Sequence, residues 1–173
     1  MPSSSDASPH VQTFVCGFCF DEPRETVVLI EKQQPAWQAG RLNGVGGKVE
    51  PGEWPATAMT REFNEEAGVH LPTRGTDPSA WTPFCRLSWR GEDGEDDAPG
   101  QVLFFHSISS MAVQEARTME AEVIRRVPVT DVLTPGRVRD RCLPNLRWLI
   151  PLALDPDDTV ARAQIGGGLG LDS

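Results

Sequence analysis

The stretch GKVEPGEWPATAMTREFNEEAGV, residues 47–69, decides how the chain is read. It leaves a glycine-rich loop and enters a helical stretch, residues 54–67, where Ala56, Met59, Phe63 and Ala67 cluster on one face. That stripe gives the helix an apolar surface to bury. At about 100° per residue, Glu65 and Glu66 fall about 60° to one side and about 40° to the other of Glu62, so three carboxylates share an adjacent face. On a solvated helix such neighbours cost only about 0.2–0.5 kcal/mol per pair, and a solvated acidic face is one reading. Partly buried, two carboxylates about 5 Å apart repel by roughly 3 kcal/mol at an effective dielectric near 20, which demands a proton or a cation. Magnesium suits an all-oxygen site of one or two carboxylates, waters and substrate phosphates, and no His or Cys here offers a zinc-like alternative. The preceding loop, NGVGGKVEPGE, can bring its backbone close to a ligand, although glycine-rich turns are usually just turns.

Outward from this segment, the apolar runs alternate with turn signals and describe a mixed α/β domain. Strands are expected at residues 11–20, 26–31, 86–89, 102–108 and 122–129, and a closing helix at 143–154 with uncertain ends because of its two prolines. RGEDGEDDAPG, residues 90–100, reads as a long solvated hairpin loop, since its acidic spacing does not follow a calcium-binding loop. Residues 1–10 and the glycine-rich 155–173 read as flexible ends around a domain at 11–154.

The 173 residues suit one globular domain. With 25 acidic and 16 basic side chains, the net charge of −9 argues against nucleic acid or an anionic membrane surface as partner. No apolar run approaches the ~20 residues that span a bilayer, and the first residues lack a secretory leader, so a cytoplasmic location is expected. Cys16 and Cys19 form a C-x-x-C on an expected strand, where residues three apart face opposite ways and cannot grip one ion. Buried, unligated cysteines are expected.

Gly47, Glu53, Arg61, Glu62, Glu65, Glu66 and Gly68, with the apolar Phe63 and Val69, match the Nudix box at every specified position, G-x5-E-x7-R-E-U-x-E-E-x-G-U. Seven such coincidences by chance have odds on the order of 10⁻⁶. The chain therefore resembles the Nudix hydrolases, and most of all the MutT-like ones. The resemblance implies an α/β/α sandwich with a mixed sheet and hydrolysis of a nucleoside diphosphate linked to some group X, with magnesium, or manganese in its place, as cofactor. It makes Glu65 and Glu66 metal ligands, with the Gly47 carbonyl as a further one. It makes Glu62 a ligand or the base that orients the attacking water, Arg61 the group that holds Glu62, and Glu53 a support. The family often recruits one more acid from outside the box. Glu122 is favoured here over Glu120, against the reading of either as a surface residue. Glu62, Glu65 and Glu66 are expected to converge near the Gly46–Gly47 backbone.

AGRLNGVGGKVEPGE resembles the MutT-like oxidised-purine triphosphatases, in which an Asn at the place of Asn43 hydrogen-bonds the base; an Asn before Gly is also an ordinary turn residue. Trp37 stacks on a base or caps the core. The acidic pair those enzymes carry before the last helix is replaced by Asn145 and Leu146. A nucleoside triphosphate, cleaved to NMP and pyrophosphate, is the first substrate reading. ADP-ribose or another nucleotide sugar is the second, and a noncatalytic nucleotide-binding regulator the alternative of different class. Many relatives dimerise, so a homodimer is allowed by analogy.

Overall fold

The computed structural model describes residues 11–73, 75–89 and 99–156 and the backbone of 164–166. The N-terminal ten residues, the tip of the acidic loop and most of the glycine-rich end lie outside the described residues. The elements are β1 (Gln12–Phe20), β2 (Thr26–Glu31), β3 (Leu42–Asn43), α1 (Pro55–Ala67), β4 (Thr82–Trp89), β5 (Gly100–Ile108), α2 (Ser110–Glu115), β6 (Val123–Pro128), α3 (Val129–Leu133), α4 (Arg137–Arg141), α5 (Leu146–Leu154) and β7 (Gln164–Gly166).

The sheet is mixed. Its order is β3-β2-β1-β5-β4-β7, and β6 pairs with β2 off that path. β1 runs parallel to β5 over its whole length, while β4 and β5 pair antiparallel with Trp89 opposite Gly100, as strands flanking a hairpin loop should. The backbone of β7, within the stretch read as a flexible end, runs parallel to β4.

Alternation along the strands divides the core in two. Cys16, Phe18 and Phe20 of β1 face α5 with Leu29, Phe84 and Phe104, and that helix buries Leu146, Leu149, Ile150 and Ala153 against them. On the other face Val15, Cys19, Val28, Ile30 and Phe105 meet Ala58, Met59, Phe63 and Ala67 of α1. The expected α/β/α sandwich is therefore present, and Cys16 and Cys19 lie in different halves of the core. All four cysteines are buried and free. Burial pushes the thiols of Cys16 and Cys19 up to about 12.

Differences from the sequence reading have local causes. Strand β4 begins earlier than expected because it pairs with β5 as far back as Thr82, opposite His106. The strand expected at 122–129 stops at Pro128, and Val129 opens α3. The closing helix starts at Leu146, just beyond Pro144, and accommodates Pro151. The short helices α2, α3 and α4 were not expected; α2 does carry a legible start, because Ser109 Oγ accepts the Ala112 N–H at 3.2 Å.

Candidate active site

The box begins as a ribbon laid along β1. Val15 N–H donates to the Gly47 carbonyl at 2.9 Å, Gly17 N–H to Val45 at 2.7 Å, and Val49 N–H to Thr13 at 2.9 Å. This contact explains two of the glycines. A Cβ on Gly46 would collide with the backbone of Val15 and Cys16, and one on Gly47 would lie 2.5 Å from the Glu62 carboxyl. The loop thus uses its missing side chains to approach β1 and α1. Gly68 ends α1 in the left-handed region at φ 71°, with its N–H on the Asn64 carbonyl, a conformation that favours glycine.

Arg61 organises the acidic face. Its Nε and Nη2 grip both oxygens of Glu53 at 3.0 and 2.9 Å, its Nη1 donates to Glu62 at 2.8 Å and to Glu65 at 3.1 Å, and its Nη2 also reaches the Lys48 carbonyl at 3.1 Å. The hydrogen bonds from Arg61 hold Glu53 below the ordinary carboxylate range, and they raise Arg61 in turn. Glu53 also accepts the Glu50 N–H at 3.1 Å, which closes the loop onto the helix start. Glu65, with 46% of its side chain exposed, lies at the open edge.

Glu66 faces inward. It is only 8% exposed, and its Oε2 accepts the Gly46 N–H at 3.2 Å. Burial, joined by the charges of Glu122 and Glu62 and opposed by Lys32, pushes its carboxyl up to about 8. Burial likewise raises Glu62, against the pull of Arg61.

Glu122 is partly buried and its charge acts on Glu66, whereas Glu120 is exposed. Glu122 stands one residue before β6, which pairs antiparallel with β2 so that Val123 opposes Glu31. The same register sets Glu122 across from Lys32, whose Nζ is 2.7 Å from Glu122 Oε1. The other oxygen of Glu122 is buried with no hydrogen-bond partner. Lys32 is the site residue that sequence reasoning missed, because a lysine closing a strand carries no signal of its own; only the register reveals it.

Of the three carboxylates expected near the Gly46–Gly47 backbone, Glu62 lies against Gly47 and Glu66 on the Gly46 amide, whereas Glu65 lies at the exposed edge. Glu62 and Glu65 turn to Arg61 and Glu66 to Gly46, and among the described residues no three carboxylate, imidazole or thiol groups surround a common position. The donor set nonetheless fits a hard divalent cation: it is all oxygen, half-buried and over-negative, with one orphaned carboxylate oxygen and one carboxyl displaced toward its protonated form.

Asn43 turns its Oδ1 to the Gly44 N–H at 2.8 Å, in the manner of a turn residue, which leaves its amide nitrogen as the group to offer a ligand. Trp37, on a short 3-10 turn at Ala36–Gln38, is 73% exposed and so does not cap the core. Leu146 is fully buried in α5, away from any solute, and the Asn145 Oδ1 beside it is buried without a partner.

The profile of the NUDIX domain matches residues 10–148. No curated protein matches the chain in sequence. Among solved structures, a MutT NUDIX hydrolase from Burkholderia pseudomallei is similar at 18% identity and a TM-score of 0.59, over 83% of this chain and 98% of that one. The MutT protein from Methanosarcina mazei Go1 is similar at 17% and 0.58, over 85% and 94%. The NUDIX domain of Shewanella oneidensis NrtR, complexed with ADP ribose, is similar at 16% and 0.60, over 87% and 91%. The likenesses are in fold, while the profile spans strands and helices on both sides of the box. The chain belongs to the Nudix family.

Proposed function

We propose that the protein is a magnesium-dependent pyrophosphohydrolase that cleaves a nucleoside triphosphate, ribo or deoxy, to the monophosphate and pyrophosphate. The observation that carries this reading is the buried Glu66, held on the Gly46 amide and within the field of Glu122, next to an Arg61 that holds Glu53, Glu62 and Glu65. Glu62, Glu65, Glu66 and Glu122, with the free lone pair of the Gly47 carbonyl, are the groups that would hold the ion; manganese would serve in its place. When bound, the cation neutralises pyrophosphate charge and lowers the pKa of a water.

The chain's own residues do the rest. Arg61 restrains Glu62 at 2.8 Å, so its carboxylate is aimed rather than free to rotate. Glu62, raised by burial, is the base that accepts a proton from the attacking water. Glu53 contributes through Arg61. The amide nitrogen of Asn43 donates to the base, and the exposed ring of Trp37 stacks on it. Leu146 lies in the core where the oxidised-purine enzymes carry an acid, which favours a triphosphate reading without oxidised-guanine selectivity. Residues 11–154 form the working domain.

Pyrophosphate and phosphate release over a panel of nucleoside triphosphates, ADP-ribose and nucleotide sugars, with magnesium, tests the reading. Glu65→Gln should lower kcat by about 10²-fold or more on the preferred substrate. Turnover of ADP-ribose alone would shift the assignment to the second substrate class, and nucleotide binding with no turnover of any of them would make the protein a regulator.

A further inference from the structure

We infer that Lys32 is a built-in counter-ion of the cation site, which competes with the divalent ion for Glu122 and must leave that carboxylate when the ion binds. The inference rests on the metal reading of the site given above. Three observations carry it. The Lys32 Nζ lies 2.7 Å from Glu122 Oε1, and both side chains are largely buried, at 18% and 14% exposure. The second oxygen of the same carboxylate is buried and has no hydrogen-bond partner, so Lys32 satisfies only one of the two oxygens of the anion. The Lys32 charge also acts on Glu66, where it opposes the charges of Glu122 and Glu62.

The position of Lys32 is built in by the backbone. Its N–H donates to the Arg41 carbonyl and its carbonyl accepts the Gly40 N–H, each at 2.8 Å, so the residue is clamped where the loop between β2 and β3 leaves and returns. Only the side chain is left to move. Arg61 is already committed to Glu53, Glu62 and Glu65, which leaves Lys32 as the cation that meets the inner pair, Glu66 and Glu122, among the described residues. An ammonium and a divalent ion seek the same carboxylate lone pairs, and a like charge this close weakens uptake of the ion. Binding of the ion thus includes the cost of detaching Lys32, and an anionic ligand that draws the ammonium away would tighten it.

The test is titration of the metal-free protein with manganese alone, read by calorimetry and by the electron paramagnetic resonance signal of free manganese. Lys32→Met should bind manganese at least about tenfold more tightly than the unmodified chain, a lower bound for one unit charge removed from a partly buried site. Lys32→Arg, which keeps the charge, should bind it with near-unchanged affinity. The rise in Tm on adding manganese should also be larger for Lys32→Met, because the metal-free variant leaves Glu122 without its cation. If Lys32→Met does not fold without metal, Lys32→Gln takes its place, since its amide can still donate to Glu122. Equal or weaker manganese affinity in the neutral variants overturns the inference. Manganese uptake that Glu66→Gln leaves unchanged would instead overturn the metal reading of the site, and the inference with it.

Discussion

Two adjacent glycines illustrate how closely this site is packed. Gly46 meets backbone, which cannot move aside, whereas Gly47 meets the end of the Glu62 side chain, which can. Gly46→Ala should therefore cost about 2–3 kcal/mol in denaturant unfolding, the upper part of the usual overpacking range. Gly47→Ala should cost less stability and instead turn Glu62 off its Arg61 partner, so that kcat falls while the unfolding midpoint changes little. Equal stability losses in the two variants would show that the loop does not lie as described. The buried thiols give a further check. All four should resist a disulfide reagent in the native protein and react after unfolding, because burial both shields Cys16 and Cys19 and holds them protonated. The roles at this scale were unevenly legible. Glu62, Glu65 and Glu66 share a face by spacing and Arg61 stands out by the match to the Nudix box, yet that Arg61 would take Glu65 as well as Glu62, and leave Glu66 to a backbone amide, depends on rotamers that no spacing specifies.

At the scale of elements, α1 and α5 anchor the two faces of the sheet, and each has a residue that reports on it. Phe63 meets Trp81 edge-on with ring centroids 5.2 Å apart, and Phe63→Ala should cost about 3–5 kcal/mol. Leu149→Ala on the opposite face should cost about 2–5 kcal/mol. A different bond ties β2 to its neighbours. Glu31 pairs with Arg125 of β6 at 2.8 Å and with Arg141 of α4 at 2.9 Å, and the hydrogen bonds from Arg125 and then Arg141 hold its carboxyl below the ordinary range. For a lowered carboxyl, the stabilisation is complete above the unfolded-state value and is lost as pH falls through the folded-state value. Urea unfolding of the unmodified chain and of Glu31→Gln should therefore differ near neutral pH and converge on acidification; a gap that persists at low pH would mean that the pairs contribute nothing. The short helices show why element reading stops where it does. Arg126 caps α2 by donating to the carbonyls of Val113, Gln114 and Ala116 at 2.6–2.7 Å, so six residues that could not hold a helix alone are held by a side chain from β6.

For the molecule as a whole, the ribbon of the box lies along β1, and the antiparallel contact of β2 with β6 sets Glu122 across from Lys32. Among the described residues no helix is long and apolar enough to cross a membrane. By itself the amino-acid order determined a mixed α/β domain, the box and the face of α1 that is acidic, because alternation and helical periodicity are local properties that each segment carries with it, while the sandwich was implied by the likeness of the box to the Nudix family. It also determined that Cys16 and Cys19 part to opposite faces. Only the tertiary structure decided that Lys32 meets Glu122, that Glu66 is buried while Glu65 is not, and that Leu146 belongs to the core. Those outcomes depend on strand register and on which side chains other elements cover, and both arise from contacts between residues distant along the chain.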